Sequence, residues 1–289
     1  MKLSTAYTAQ VHVAVMLFGL SGVLSKSIAI PAVLITLGRV LCSSPVLYMY
    51  IKEKGTHIRR LSKRDGLAFL LMGSLLALHW TSFIASVQIA NVAIGAITAS
   101  AFPLYAVFLE PLFFKEKLRA RHVVLACIMV AGVLILVPPD AFSGDIALGV
   151  AVGMFASFAY AVLSLVNRWL SQRYDGFVIS LYEQAVAAAV LLPALWIVPA
   201  SWSFHDLGLI LLLGVVGTAV SHSLFINGLQ RITVQKASMI SGMEAVYGIM
   251  MAFLFLGAVP STREIVGGII VLTAAAISSL SKKQNTENI

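Results

Sequence analysis

The chain has 289 residues, of which 60% are hydrophobic and only 11% are charged, and its formal net charge is +8. A typical globular domain carries about 25% charged residues, so these charges are too few to cover a water-facing surface. The mean hydropathy of +0.95 agrees, and an ordinary soluble domain is excluded. The bases lie in short runs between apolar segments, which predicts a lipid bilayer as partner and argues against nucleic acid.

Ten apolar segments have the roughly 20 residues that a membrane-spanning helix needs. Their bounds are 7–25, 31–51, 65–86, 91–113, 121–138, 146–167, 176–198, 207–229, 233–256 and 264–281. We therefore predict an all-α membrane protein with ten transmembrane helices, multi-pass in the cell (inner) membrane. Cys42 and Cys127 lie inside apolar stretches and are expected in the core, without a disulfide or metal role.

The basic residues predict the orientation. Sixteen of the 20 Lys and Arg residues lie at the two ends or in the even-numbered loops, whereas the odd-numbered loops hold only Lys26 and Arg263. Because cytoplasmic loops carry the excess of basic residues, both termini are predicted to be cytoplasmic.

The two halves of the chain repeat. A shift of 142 residues superposes 79–121 on 221–263 without a gap, with eight identical pairs among 43, including Phe83/Phe225 and Tyr105/Tyr247. We expect five-helix repeats at 1–137 and 146–281, followed by a polar cytoplasmic tail at 282–289. Five is an odd number, so the second repeat should be inverted relative to the first, as in many secondary transporters whose substrate site lies at the midplane between repeats.

Several short segments carry a resemblance to a known family. They are Gly38-Arg39, the run from His79 to Ser86, Ala99-Ser100-Ala101-Phe102-Pro103, Lys115-Glu116-Lys117-Leu118 and Ser241-Gly242-Met243-Glu244. With them the chain resembles EamA-type transporters of the drug/metabolite transporter (DMT) superfamily, over nearly its whole length as two modules. It departs from the family pattern at Ala245, where proline is usual, and at Gly257-Ala258, where Gly-Glu is usual.

The resemblance implies a secondary carrier, often an exporter of amino acids or other small metabolites, and it leaves the substrate open. Nucleotide-sugar and triose-phosphate carriers share the architecture. The expected function is therefore secondary active efflux of a small molecule by alternating access. A membrane-embedded enzyme and a non-transporting scaffold or channel are the alternatives. A homodimer is left open.

Charged residues at membrane depth cost about 2.5–3.5 kcal/mol on insertion scales, so each needs an explanation. Arg39 shares a helical stripe with Thr36 and Ser43 and is a candidate anchor for a carboxylate. Glu183 occupies the matching position of the seventh span, which would suit a zwitterionic substrate. The alternative for Arg39 is a structural ion pair or a clamp on backbone carbonyl groups, and the alternative for Glu183 is a structural pair with Arg39. Tyr105 and Tyr247 are repeat partners and candidate substrate-binding aromatics, with ordinary packing as the alternative.

Three further residues are candidates for proton coupling. Glu244 lies at the middle of the ninth span, where burial favours a titrating carboxyl; capping broken backbone or neutralising Lys236 are its alternatives. His79 and His222 could relay protons, with satisfied polar contacts as the more usual alternative. Glu110 is expected to reach the cytoplasmic interface.

The sequence contains no Walker loop, no metal-spaced His/Cys cluster and no G-x-S-x-G or GxGxxG motif. We therefore expect no catalytic residue, no metal and no cofactor, and ATP-driven pumping by this chain alone is not expected.

Overall fold

The computed structural model describes residues 2–56, 61–115, 117–136, 146–256 and 259–280, and the predicted tail at 282–289 lies outside them. The described residues form helices and connecting turns, without a β-strand. The helices are α1 (Lys2–Lys26), α2 (Ala32–Glu53), α3 (Lys63–Ile89), α4 (Val92–Ala99), α5 (Phe102–Phe114), α6 (Ala120–Leu136), α7 (Ile146–Leu170), α8 (Gly176–Leu191), α9 (Ala194–Ile197), α10 (Phe204–Gly214), α11 (Ser221–Gly228), α12 (Val234–Ser241), α13 (Glu244–Leu256) and α14 (Thr262–Leu280). A π-helical turn, Val215–Val220, joins α10 to α11.

Helices occupy every one of the ten predicted ranges. Six described segments are long and apolar enough to cross a membrane, and Ala120–Leu136 is a shorter apolar helix. The six segments are Ala32–Glu53, Lys63–Ile89, Ile94–Phe114, Ile146–Leu170, Gly176–Ile197 and Phe204–Gly228. The all-helical, multi-pass class is therefore confirmed, while ten crossings and their inversion stay predictions.

The surface is apolar where a soluble protein would be polar. Leu67, Leu112 and Leu254 are 67%, 77% and 68% exposed, whereas Thr36, Ser43 and Glu183 are fully buried. This pattern is expected where lipid covers the outside and polar groups find partners inside the bundle. Cys127 is exposed, so its predicted place in the core was wrong, while Cys42 is half-buried.

Serine side chains cap the first turns of α3 and α10. The hydroxyl oxygen of Ser62 accepts a hydrogen bond from the Asp65 N–H at the start of α3, and Ser203 does the same for Asp206 in α10. Each cap satisfies an amide that lacks a helical partner. The two Ser-x-x-Asp starts occupy corresponding places in the two halves of the chain.

Two helix pairs are broken in the same way. The pairs α4–α5 and α12–α13 each combine a helix of 8 residues with a helix of 13 residues. Asn91 caps α4 and Thr233 caps α12 through side-chain oxygens, and these two residues are separated by the 142 residues of the sequence repeat. At each break a tighter turn interrupts the α-helix: the Ala101 N–H donates to the Thr98 carbonyl oxygen, and the Met243 N–H donates to the Ile240 carbonyl oxygen.

Glu110 lies inside the protein, so its predicted place at the interface was wrong. Its side chain is 0% exposed and pairs with Arg168 Nη1 at 2.5 Å. Its carboxylate also accepts the backbone N–H groups of Val234 and Gln235 at 2.6 and 2.7 Å. These amides begin α12, where a negative charge is favoured. Glu110 therefore joins α5, α7 and α12.

Candidate functional site

A cavity lies beside the two helix breaks. Its volume is about 70 Å³, which is room for several waters or a small organic molecule. Its lining residues are Phe18, Ser21, Gly22, Ser25, Arg39, His79, Trp80, Phe83, Ala99, Phe102, Ser157, Tyr160, Ser241 and Glu244. Ala99 and Phe102 flank the break between α4 and α5, and Ser241 and Glu244 flank the matching break between α12 and α13. The cavity therefore contacts both halves of the chain.

Arg39 supplies positive charge to this cavity. Its Nε donates to Thr218 Oγ1 at 2.8 Å, and its Nη2 donates to the Gly217 carbonyl oxygen at 3.0 Å. The guanidinium carbon lies 3.9 Å from the centroid of the Trp80 ring, a close cation–π distance. Within the described residues Nη1 has no hydrogen-bond partner, so this nitrogen retains donors for a ligand.

Glu244 supplies negative charge. It begins α13 and lines the cavity, and no hydrogen bond or ion pair among the described residues engages its carboxylate. It acts electrostatically on Arg39, yet no ion pair within 4.0 Å joins the two in the described part of the chain. The cavity thus has a positive and a negative group that do not neutralise each other by contact.

Aromatic rings form much of the remaining wall. The His79 ring stacks on Tyr160 with centroids 4.4 Å apart, and its Nδ1 lies 2.8 Å from the Ala156 carbonyl oxygen. Tyr160 also contacts Phe102 and Phe225. His79 is the one of the two candidate histidines that lines the cavity.

Glu183 and His222 lie outside the cavity lining and contact each other. Glu183 Oε2 and His222 Nε2 are 2.7 Å apart, and the two side chains are 0% and 1% exposed. The His222 ring meets the Trp80 ring edge-on at 5.2 Å. The Trp80 ring therefore contacts Arg39 on its face and His222 at its edge. Because Trp80 lines the cavity, the Glu183–His222 pair lies directly behind the cavity wall.

The two candidate tyrosines have other neighbours. The Tyr105 ring packs edge-on against Phe158 at 5.6 Å, and the Tyr247 hydroxyl lies 2.9 Å from His12 Nδ1. Neither is among the cavity-lining residues. Of the residues predicted to bind substrate or couple protons, the structure places Arg39, Glu244 and His79 around one cavity.

Sequence reasoning missed the partners of Arg39, namely Thr218, Gly217 and Trp80. An arginine at membrane depth needs partners, but a threonine and a glycine in an apolar span give no signal of their own. Trp80 was visible as part of the segment that resembles the family. As for metals, the described residues contain no group of three or more His, Cys, Asp or Glu side chains that could hold an ion.

Curated relatives are transporters. The chain is 27% identical over 268 residues to the pseudopaline exporter CntI of Pseudomonas aeruginosa, with 89% of each chain covered. It is 22% identical to an S-adenosylmethionine uptake transporter of Rickettsia bellii, over 85% of this chain and 83% of the relative. These names indicate transport and not an enzymatic activity.

A solved crystal structure shares the fold, with a TM-score of 0.79 at 19% identity, over 95% of this chain and 98% of the other. The family model described as "EamA-like transporter family" matches the chain twice, at residues 9–137 and 147–280. Together these matches cover nearly the whole length, and the apolar helices fit them. The chain is therefore a multi-pass membrane protein that belongs to the EamA-like transporter family.

Proposed function

We propose that the chain is a secondary active transporter that exports a small zwitterionic metabolite, such as an amino acid, by alternating access around the cavity. One observation carries the proposal: Arg39 and Glu244 line the same small cavity, and the Glu244 carboxylate has no hydrogen bond or ion pair with another described residue. The ammonium group of the substrate would bind Glu244, and its carboxylate would bind the free donors of Arg39.

The walls of the cavity fit a substrate with a modest apolar side chain. The aromatic surface around the charged groups comes from Phe18, Trp80, Phe83, Phe102 and Tyr160. Binding sites for small molecules combine mostly apolar walls with a few polar groups that fix the orientation of the ligand. The limited volume favours an amino acid over a nucleotide sugar.

The proposed mechanism rests on two inverted five-helix repeats with both termini in the cytoplasm. The paired lengths of α4–α5 and α12–α13 and the two matches to the family model support a repeat at about 1–137 and 146–281. Two similar units of opposite orientation can exchange conformations, so that inward-open and outward-open states are near-equivalent. The cavity between them would then face either side in turn.

Proton coupling is assigned to Glu244, with His79 and His222 as relay candidates. A proton on Glu244 would compete with the substrate ammonium group, which links proton entry to substrate release. Export is proposed because the relative with 27% identity is named an exporter. Glu183, Tyr105 and Tyr247, predicted from sequence to bind substrate, are assigned supporting positions because their observed partners lie outside the cavity lining.

The test is uptake of labelled amino acids into proteoliposomes with and without an imposed pH gradient. We expect at least one small neutral amino acid to move, and to move faster with the gradient. Arg39→Gln and Glu244→Gln should each reduce this transport by about 10-fold or more, because hydrogen bonds to charged groups contribute roughly 1.5–3 kcal/mol.

Glu264→Gln is the matched control, because Glu264 is a glutamate at an exposed helix start and is not among the cavity-lining residues. Transport by this variant should equal that of the wild-type protein. Wild-type vesicles that move no member of the panel, or Arg39 and Glu244 variants as active as the control, would refute the proposal.

A further inference from the structure

One helix of the second half contains an irregularity that its counterpart lacks. Helix α3 runs without interruption from Lys63 to Ile89, whereas the corresponding segment of the second half is α10, the π-helical turn Val215–Val220 and α11. A π-helical turn is rare and often lies at a functional site. The presence of this turn in the second half alone therefore needs a structural explanation.

The residue numbering locates one extra residue in this turn. Before it, Gly73 corresponds to Gly214, a separation of 141, because each glycine lies under a backbone carbonyl of the neighbouring helix. An added Cβ would lie 2.7 Å from the Glu183 carbonyl oxygen at Gly73 and 2.9 Å from the Arg39 carbonyl oxygen at Gly214. Beyond the turn the separation is 142, as in Phe83 and Phe225. The second half has gained one residue between these points.

The turn that accommodates this residue is the part of the chain that holds Arg39. Nε of Arg39 donates to Thr218 Oγ1, and Nη2 donates to the Gly217 carbonyl oxygen. The Thr218 hydroxyl donates in turn to the Leu213 carbonyl oxygen at 2.8 Å, so its lone pairs face the guanidinium. Widening the helix by one residue shifts the ladder of hydrogen bonds and makes carbonyl groups available to such a donor.

We propose that the π-helical turn is a positioning device for Arg39, and that Thr218 is the positioning residue. The turn binds Nε and Nη2 on one side and Trp80 supports the guanidinium plane, so that Nη1 is left for a ligand. The class of ligand that this geometry favours is a carboxylate, and that part rests on the proposed function. The positioning of the guanidinium does not depend on the proposed function.

The device has a second effect on the cavity. Arginine is a flexible side chain, and an unheld guanidinium would be drawn to the carboxylate of Glu244, which acts on it electrostatically. A direct pair would neutralise both groups and occupy the space of the substrate. Holding Arg39 on the π-helical turn keeps the two charges apart.

The test uses a protein whose only tryptophan is Trp80, obtained by replacing Trp169, Trp196 and Trp202 with Phe. Thr218→Val removes the acceptor and Thr218→Ser retains it. Thr36→Val is the control, since Thr36 is a buried threonine of α2 whose hydroxyl donates to the Ala32 carbonyl oxygen. Fluorescence emission of Trp80 reports the stacked guanidinium.

We expect Thr218→Val to change Trp80 emission, with Thr218→Ser and Thr36→Val matching the parent protein. Emission that is unchanged in Thr218→Val, or changed equally in Thr218→Ser, would overturn the positioning role.

Affinity for a probe pair, L-leucine and its decarboxylated analogue isopentylamine, tests the ligand class in the same variants. Thr218→Val should weaken binding of L-leucine by about 10-fold and leave the amine within about 2-fold. A spectral change with equal losses for both probes would overturn the carboxylate role while the positioning of Arg39 stands. A parent protein that binds no amino acid at all would refute the proposed function, and Trp80 emission would still decide the positioning role.

Discussion

Two glutamates, Glu110 in α5 and Glu244 in α13, lie in helices that match each other in length and place, but their surroundings differ completely. The Glu110 carboxylate has Arg168 and two backbone N–H groups as partners. The Glu244 carboxylate has none among the described residues and faces a cavity. A buried carboxylate is costly unless it is paired or can be reached by a ligand. The arrangement around Glu110 is typical of a carboxylate that stabilises the fold, and the arrangement around Glu244 is typical of a carboxylate that binds a ligand.

Burial alone therefore does not identify a functional charge. Glu183 supports this, because it is as fully buried as Glu110 and already pairs with His222. Substitutions of paired carboxylates and their partners should therefore reduce stability. Substitution of the unpaired one should affect transport with little change in stability.

The largest stability effect is expected for Glu110→Ala. The change leaves Arg168 buried without its carboxylate and removes the acceptor for the first amides of α12. Breaking a buried ion pair costs about 3–5 kcal/mol, so the free energy of unfolding in detergent should fall by roughly that amount. Glu264→Ala is the control and should lose about 1 kcal/mol or less, the usual cost of a cap. Equal losses in the two variants would contradict the structural role of Glu110.

A smaller loss is expected for His222→Phe. This substitution keeps a ring beside Trp80 but leaves the Glu183 carboxylate without its partner, which costs roughly 1–3 kcal/mol. His205→Phe is the matched control, because the His205 side chain is 70% exposed. Thermal unfolding should separate the two variants, and an unchanged midpoint in His222→Phe would show that the pair contributes nothing.

The helix caps should contribute about 1 kcal/mol each. Ser62→Ala and Ser203→Ala remove equivalent hydrogen bonds at the starts of α3 and α10. We expect similar losses of unfolding free energy in the two variants, and Ser→Thr at either position should restore most of it. A large loss in one variant alone would argue that the two helix starts are not equivalent.

The smallest change in stability is expected for Glu244→Gln. No hydrogen bond or ion pair among the described residues is lost, and the removed charge faces the cavity, so the unfolding free energy should stay within about 1 kcal/mol of the wild-type value. Transport should nonetheless fall, as proposed above. A loss comparable to that of Glu110→Ala would place Glu244 among the structural carboxylates.

Much of the fold follows from the sequence, because the hydropathy of each segment is a local property. The ten apolar ranges all contain helices, and the burial of Arg39 follows from its depth. The surroundings of Glu110 could not be predicted, since its partners Arg168, Val234 and Gln235 lie far away in the chain. The π-helical turn could not be predicted either, because one added residue in an apolar segment does not change the hydropathy pattern.

The most direct test of the central claim is a set of binding measurements that pairs each charge of the site with one charge of the ligand. L-leucine, isopentylamine and 4-methylpentanoate would be titrated against the wild-type protein, Arg39→Gln and Glu244→Gln. We expect Arg39→Gln to lose about 10-fold or more in affinity for leucine and for the acid but not for the amine. Glu244→Gln should lose affinity for leucine and for the amine but not for the acid. Losses that are the same for all three ligands in both variants would contradict a site with two opposite charges.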